Sequence, residues 1–208
     1  QSERTLGALD ARRAHRRVGD GATRGESYTY DRVGRVTTTT DALGFTEHFG
    51  YDALGSRTSV THKNGQVTRF VHDAVGRQVF AVQVLSSQQQ LVSKQEYDAF
   101  GQLVHSIGFA TPAGALSDYS LAGLSAAVVA SAQDRRSAYA YDTTGRQVYS
   151  VQRLAPDQHL VSHRDYDSFG QVVKTTAYAT VVTALSGYSR HELAAAVRTS
   201  AQDRTTTF

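Results

Sequence analysis

The sequence predicts a mainly β protein, with antiparallel hairpins stacked into a spiralling sheet or solenoid arc and two short inserted helices. Three observations carry this prediction. A Tyr-Asp-x-x-Gly element recurs five times, and a His-Asp-x-x-Gly variant occurs once. The residues flanking it alternate, with aromatic pairs such as Tyr28 and Tyr30, or Phe49 and Tyr51, two positions apart. A 69-residue block also repeats without a gap.

Residues 1–24 form a basic N-terminal segment. Six arginines there face Glu3, Asp10 and Asp20, so the whole formal charge of +3 resides in this stretch. The rest of the chain carries sixteen basic and sixteen acidic side chains. With no basic stripe along the repeats, nucleic acid is not an expected partner. Leu6, Leu9, Ala11 and Ala14 suggest a helical cap for this segment.

Residues 25–70 are built from 21-residue units. Asp31, Asp52 and Asp73 stand 21 residues apart. In each element Asp occupies the first turn position, where its carboxylate accepts backbone N–H bonds, and Gly takes the position that needs positive φ. The predicted turns are Asp31–Gly34, Asp52–Gly55, Asp73–Gly76, Asp98–Gly101, Asp142–Gly145 and Asp167–Gly170. A second turn falls between them, at Asp41–Gly44 and at His62–Gly65. Strands of about 5–6 residues fit between turns, which gives on the order of 15 strands. Period two places both rings of a pair on one strand face and aligns Tyr28, Phe49 and Phe70 into a ladder. Buried, that ladder is a core. Exposed, Tyr28, Tyr30, Tyr51, Tyr97, Tyr141 and Tyr166 are candidate ligand-stacking residues, because a flat ring with a polar tip suits a sugar face.

Residues 71–139 and 140–208 are two copies of the 69-residue superrepeat. Tyr97-Asp98-Ala99-Phe100-Gly101 aligns with Tyr166-Asp167-Ser168-Phe169-Gly170, and Ser131-Ala132-Gln133-Asp134 with Ser200-Ala201-Gln202-Asp203. Ser189 and Glu192 form a capping-box pattern ahead of Leu193 and the alanines that follow. Helices are therefore predicted near 189–200 and, in the sister copy, near 120–131.

These repeats resemble the YD-repeat, or RHS-repeat, family. The likeness rests on Tyr30-Asp31-Arg32-Val33-Gly34-Arg35-Val36 and Tyr141-Asp142-Thr143-Thr144-Gly145-Arg146-Gln147-Val148 and covers about residues 25–208. The family includes bacterial RHS polymorphic toxins, cocoon components of toxin complexes and the teneurins. The resemblance implies a long sheet that spirals into a hollow shell, which in the toxins surrounds a C-terminal toxic domain. Older family descriptions imply carbohydrate binding. The chain departs from the pattern by lacking the Asp-Pro core motif where toxin shells cleave themselves, and by its helical insertions.

The functional expectation is a structural scaffold or shell-wall segment of a large secreted or surface bacterial protein, with a carbohydrate- or partner-binding module as the alternative. The expected partners are neighbouring repeats of the parent chain, and a C-terminal toxin domain or a glycan. Localisation is expected to be extracellular or at the bacterial surface.

No enzyme constellation stands out. His163-Arg164-Asp165 invites a catalytic reading, but His163 aligns with Lys94 and Asp165 with Glu96, as expected of alternating charge on a strand. No catalytic, cofactor or metal residue is assigned; each Asp turn offers one carboxylate, too few for a calcium site. No cysteine is present, and no stretch approaches the ~20 apolar residues of a membrane span. The chain opens at Gln1 and stops where the next Tyr-Asp should fall, so it reads as a fragment, with fraying of 200–208 or end-to-end self-association expected at the cut.

Overall fold

The Thr- and Val-rich segments form strands because β-branched side chains suit a pleated surface. The computed structural model describes residues 25–208, so the N-terminal helix expected before Gly25 lies outside the described residues. The described chain divides into two units between Phe70 and Val71.

The first unit holds β1 (Ser27–Tyr30), β2 (Val36–Thr40), β3 (Thr46–Tyr51), β4 (Arg57–Thr61) and β5 (Val67–His72), the last of which runs across the division. Each pairs antiparallel with the one before it. Its interior is thin. Val60 is its one fully buried hydrophobic residue, and β1 is exposed along its length.

The second unit holds β6 (Gln78–Ser86), β7 (Gln89–Tyr97), β8 (Leu103–Gly108), α1 (Leu121–Ala127), β9 (Arg135–Tyr141), β10 (Gln147–Ala155), β11 (Gln158–Tyr166), β12 (Val172–Ala177), α2 (Arg190–Ala196) and β13 (Arg204–Thr207). The eight strands again pair antiparallel in chain order. The thirteen described strands range from four to nine residues. The longest exceed the expected length because β6–β7 and β10–β11 turn tightly at Ser87-Gln88 and Pro156-Asp157, without a glycine to announce the turn.

Two cores cover the sheet of this unit, and they are the same core written twice. Phe80, Val82, Val92, Ala113 and Leu124 make the first. Tyr149, Val151, Val161, Val182 and Leu193, each 69 residues later, make the second. The insert after β8 first extends the sheet through the Gln90–Ala113 bridge, then folds α1 down so that Leu124 is fully buried. The insert after β12 does the same through His159–Val182 and Leu193.

Both helices begin where the sequence indicates and end four residues early, at Ala127 and Ala196 rather than 131 and 200. Val128 and Val197 leave the helical region, and each closes the last turn with its own N–H on a leucine carbonyl. Ser131 and Ser200 are needed elsewhere. The Asp134 carboxylate accepts from the Ser131 backbone N–H, the Ser131 hydroxyl and the Ala110 N–H, and Asp203 repeats this with Ser200 and Ala179.

The two helix starts differ in one informative way. In α2 the Glu192 carboxylate accepts from the Ser189 N–H at 3.0 Å and from its hydroxyl at 2.6 Å. In α1 the acceptor is Asp118, on the loop, bonded to the Ser120 N–H at 2.8 Å and its hydroxyl at 2.9 Å. Gly123 stands at the position of Glu192, and Gly187 at that of Asp118. A Cβ on either glycine would run into the carboxylate opposite. One carboxylate therefore fills one space, entering from the loop in the first copy and from the helix in the second.

This arrangement predicts strong coupling. Gly123→Glu alone should lower stability by about 1–3 kcal/mol through overpacking against Asp118. The double change Asp118→Gly with Gly123→Glu should recover most of the loss. Denaturant unfolding of the four variants measures it, and simple additivity would contradict the shared-space reading.

Candidate functional site

The chemistry of the six Asp-x-x-Gly turns is local. In the first, the Gly34 N–H donates to the Asp31 carbonyl, and the Asp31 N–H to the Arg35 carbonyl. Gly34, Gly55, Gly76, Gly101, Gly145 and Gly170 adopt φ of 82–92°, a region hostile to β-carbons. Asp31 Oδ1 accepts from the N–H groups of Val33 and Arg35. Asp52 accepts from Ser56, and Asp73, Asp98, Asp142 and Asp167 each accept from two backbone N–H groups. The carboxylates are thus engaged by their own loops. Among the described residues no cluster of three His, Asp or Glu side chains could hold a metal ion.

Three of the turns carry arginine after the glycine, and there the second carboxylate oxygen is taken as well. Arg35, Arg77 and Arg146 donate through Nε to Asp31, Asp73 and Asp142 at 2.7 Å each. For Asp31 the Arg35 backbone N–H, and then its guanidinium, hold the carboxyl below its ordinary value. For Asp73 and Asp142 burial works against ionisation, but the Arg77 and Arg146 bonds outweigh it, aided at Asp142 by the Thr144 hydroxyl.

Each of these arginines also reaches the next repeat. Arg35 lies over the Tyr51 ring at 4.8 Å and donates to the Asp52 carbonyl at 3.0 Å. Arg77 does this to Tyr97 and Asp98, and Arg146 to Tyr166 and Asp167. The tyrosine answers. The Tyr51 hydroxyl donates to the Val36 carbonyl at 2.8 Å, Tyr97 to Gln78 at 2.9 Å, and Tyr166 to Gln147 at 2.7 Å. Tyr141 makes the same bond to Leu103 at 2.8 Å, although Gln102 stands where the arginine would be.

Three of the accepting carbonyls, those of Val36, Leu103 and Gln147, sit just ahead of a β-bulge. Across five hairpins the register slips so that one residue, three positions after the glycine, has no partner of its own: Thr37, Thr58, Val104, Val148 and Val173. A bulge breaks the ladder locally and increases twist. The tyrosine hydroxyl supplies a donor where the ladder is interrupted. The sequence signals a type I turn with a bulge at its glycine, but not this slip in register three residues further on.

Four of the candidate stacking residues, Tyr51, Tyr97, Tyr141 and Tyr166, are therefore joined in one role, as latches between repeats. Arginine covers one face of three of them. Tyr28 and Tyr30 stand apart on β1, at 39% and 44% exposure, and Tyr28 donates to Glu26. In the expected aromatic ladder, Phe49 lies under Arg57 at 4.7 Å. His163 sits 3.6 Å from Asp165 and packs on the Tyr149 ring, and burial pushes its pKa down. His159, beside Asp157 in sequence, is instead buried against Tyr188.

Two predictions follow from these turns. Tyr166→Phe and Tyr141→Phe should each cost about 1 kcal/mol of unfolding free energy, the usual cost of one lost hydrogen bond, because each leaves its acceptor carbonyl, on Gln147 or Leu103, without that donor. Chemical denaturation tests this, and an unchanged midpoint in both would refute the latch. The second concerns acid. Asp31, Asp73 and Asp142 titrate below the ordinary 3.8, so the stability they contribute is complete above that value and is lost as pH falls through the lower folded values. The melting temperature should hold down to about pH 5 and decline below about pH 4. Asp142→Asn should lower it at neutral pH and flatten the acid decline.

The RHS Repeat family pattern matches residues 30–66, the first two Tyr-Asp hairpins and the turn that follows. A comparison with curated proteins found no match. Among solved structures, the chain is similar to the crystal structure of TcdB2-TccC3-Cdc42 at 14% identity and a TM-score of 0.46, covering 88% of this chain and 10% of that one. It is also similar to a mutant Tc holotoxin pore of Photorhabdus luminescens at 15% identity and a TM-score of 0.43, covering 76% of this chain and 9% of that one. The chain thus spans about a tenth of the structures it matches. Residues 30–66 therefore match the RHS Repeat family model, and the Tyr-Asp-x-x-Gly hairpins that carry the match recur along the rest of the described chain.

Proposed function

We propose that this chain is a wall segment of a large secreted or surface-displayed bacterial RHS-repeat protein, whose sheet shelters a C-terminal toxic domain. The observation that carries the reading is the latch. The polar groups of the Tyr-Asp elements are spent on their own turns and on the adjoining repeat, which is the chemistry of a structure that holds itself together in series. The 21-residue hairpins and the two superrepeats are successive stretches of that wall.

The tips of the turns support an extended assembly. Leu54, Phe100 and Phe169 are 82%, 89% and 87% exposed. Apolar tips of this kind are contact points for further repeats of the parent chain. No described helix is long and apolar enough to cross a membrane.

Electron microscopy and limited proteolysis of the full-length parent protein test the proposal together. This segment should appear in the wall of a closed body, and a C-terminal domain should resist protease until the wall is cleaved. A segment seen as a separate lobe, with saturable oligosaccharide binding that Tyr28→Ala and Tyr30→Ala abolish, would overturn it in favour of a glycan-binding module.

A further inference from the structure

A cavity of about 120 Å³ opens in the second unit where the second insert folds back over β7 to β11. Ile107, Ala138 and Val151 line its apolar side. The polar side is Glu96, His105, Arg136, Arg153, His159 and Tyr188.

Among the described residues, two buried side-chain nitrogens have no hydrogen-bond partner, and both belong to this lining. They are Arg136 Nε and His159 Nδ1. His159 is 4% exposed, and its Nε2 faces the Tyr188 hydroxyl at 3.3 Å. With Tyr188 donating to Nε2, Nδ1 carries the proton and is a donor, as Arg136 Nε always is. Arg136 Nη2 is already committed to Asp134 at 3.1 Å. The acceptor nearest in kind, Glu96, is itself occupied by Lys94 at 2.7 Å and His105 at 3.1 Å. Arg153 donates through Nε to the Ala155 carbonyl and pairs with no carboxylate among the described residues. The cavity therefore presents two buried nitrogens without a partner and a cation that pairs with no carboxylate, an arrangement folded proteins rarely leave unfilled.

The chain contains its own control. Sixty-nine residues earlier, Gln90 takes the place of His159 and Val84 that of Arg153. Gln90 is as buried, at 2% exposure, yet satisfied. Its Oε1 accepts from Tyr119 at 2.8 Å, and its Nε2 donates to the Gly114 carbonyl at 3.4 Å. The fold thus needs neither the histidine nor the arginine at these positions.

We propose that the cavity binds a carboxylate group, one oxygen on Arg136 Nε and the other on His159 Nδ1, with the charge of Arg153 balancing it. The two acceptor oxygens match the two donors. The volume, roughly four waters' worth, suits a group the size of acetate. A free small acid and an Asp or Glu side chain of a polypeptide offer the same chemistry.

Nitrogen-detected NMR titration of the labelled chain tests the site with acetate, with acetamide as the neutral isostere, and with sodium chloride at matched ionic strength. Acetate should shift Arg136 Nε and His159 Nδ1 saturably, and the other two should not. H159Q and R153V, which install the sister residues, should each weaken acetate at least tenfold while leaving the melting temperature within a few degrees. A parallel titration with acetyl-aspartyl-amide assigns the source. Binding comparable to acetate supports a polypeptide carboxylate, and acetate binding alone supports a small free acid. An equal response to acetate and acetamide, no saturable shift, or undiminished binding in both variants would overturn the proposal. So would a high-resolution structure in acetate with only water on the two nitrogens.

Discussion

The tyrosine hydroxyl that caps the carbonyl ahead of the bulge, at three of the five bulged hairpins, is the contact on which the repeats depend. A bulge leaves a gap in the hydrogen-bond ladder, and a buried polar group without a partner is expensive. Tyr51, Tyr141 and Tyr166 fill that gap from the neighbouring hairpin, and Tyr97 makes the same bond to Gln78. The bulge and the tyrosine are thus one device. The arginine is secondary to it. Tyr141 keeps the bond with Gln102 where arginine stands elsewhere, so the guanidinium reinforces a joint that the hydroxyl already makes. The turn aspartate serves the same end, holding each arginine by its Nε so that the remaining nitrogens reach forward in a fixed direction.

The superrepeat adds depth that the 21-residue units lack. The first unit, with Val60 as its buried centre, is a sheet with little beneath it. In the second, each insert carries a leucine onto the sheet and closes a core over it. Leu124 and Leu193 are completely buried, each by a helix of only seven residues. Helices that short have little stability of their own. They persist because their first turns are capped by serine and a carboxylate, and because the strand bridges at Ala113 and Val182 deliver them to the sheet already positioned.

What could be read from the sequence was what residue type encodes locally. Asp at the head of a turn and Gly at positive φ mark the hairpins at Asp31–Gly34 and its five counterparts. Ser189 and Glu192 mark a helix start, and Val71 to Phe208 shows the 69-residue period on inspection. The Ser87-Gln88 and Pro156-Asp157 turns escaped notice because no glycine flags them. The bulge residues escaped because Thr37, Thr58 and Val104 look like any strand residue; register is a property of two strands together. The latch showed only half of itself. The Tyr-Asp pair was evident, but its acceptor is a main-chain carbonyl on another strand, which no side chain records. The cavity was hidden for a like reason, since Arg136, Arg153 and His159 come from three different strands.

The exchange of Asp118 and Gly123 for Gly187 and Glu192 bears on how such arrays diverge. Both copies keep a serine cap with one carboxylate beside it, while ownership of that carboxylate has passed between loop and helix. Position by position the two copies look unrelated here, acid against glycine twice over, although the filled volume and the bonds to serine are conserved. Descent from a common unit is therefore preserved in the occupancy of a space rather than in the letters at either site. Comparison of duplicated units by identity alone will count as two differences what is one conserved interaction, and will place the copies further apart than their physics does.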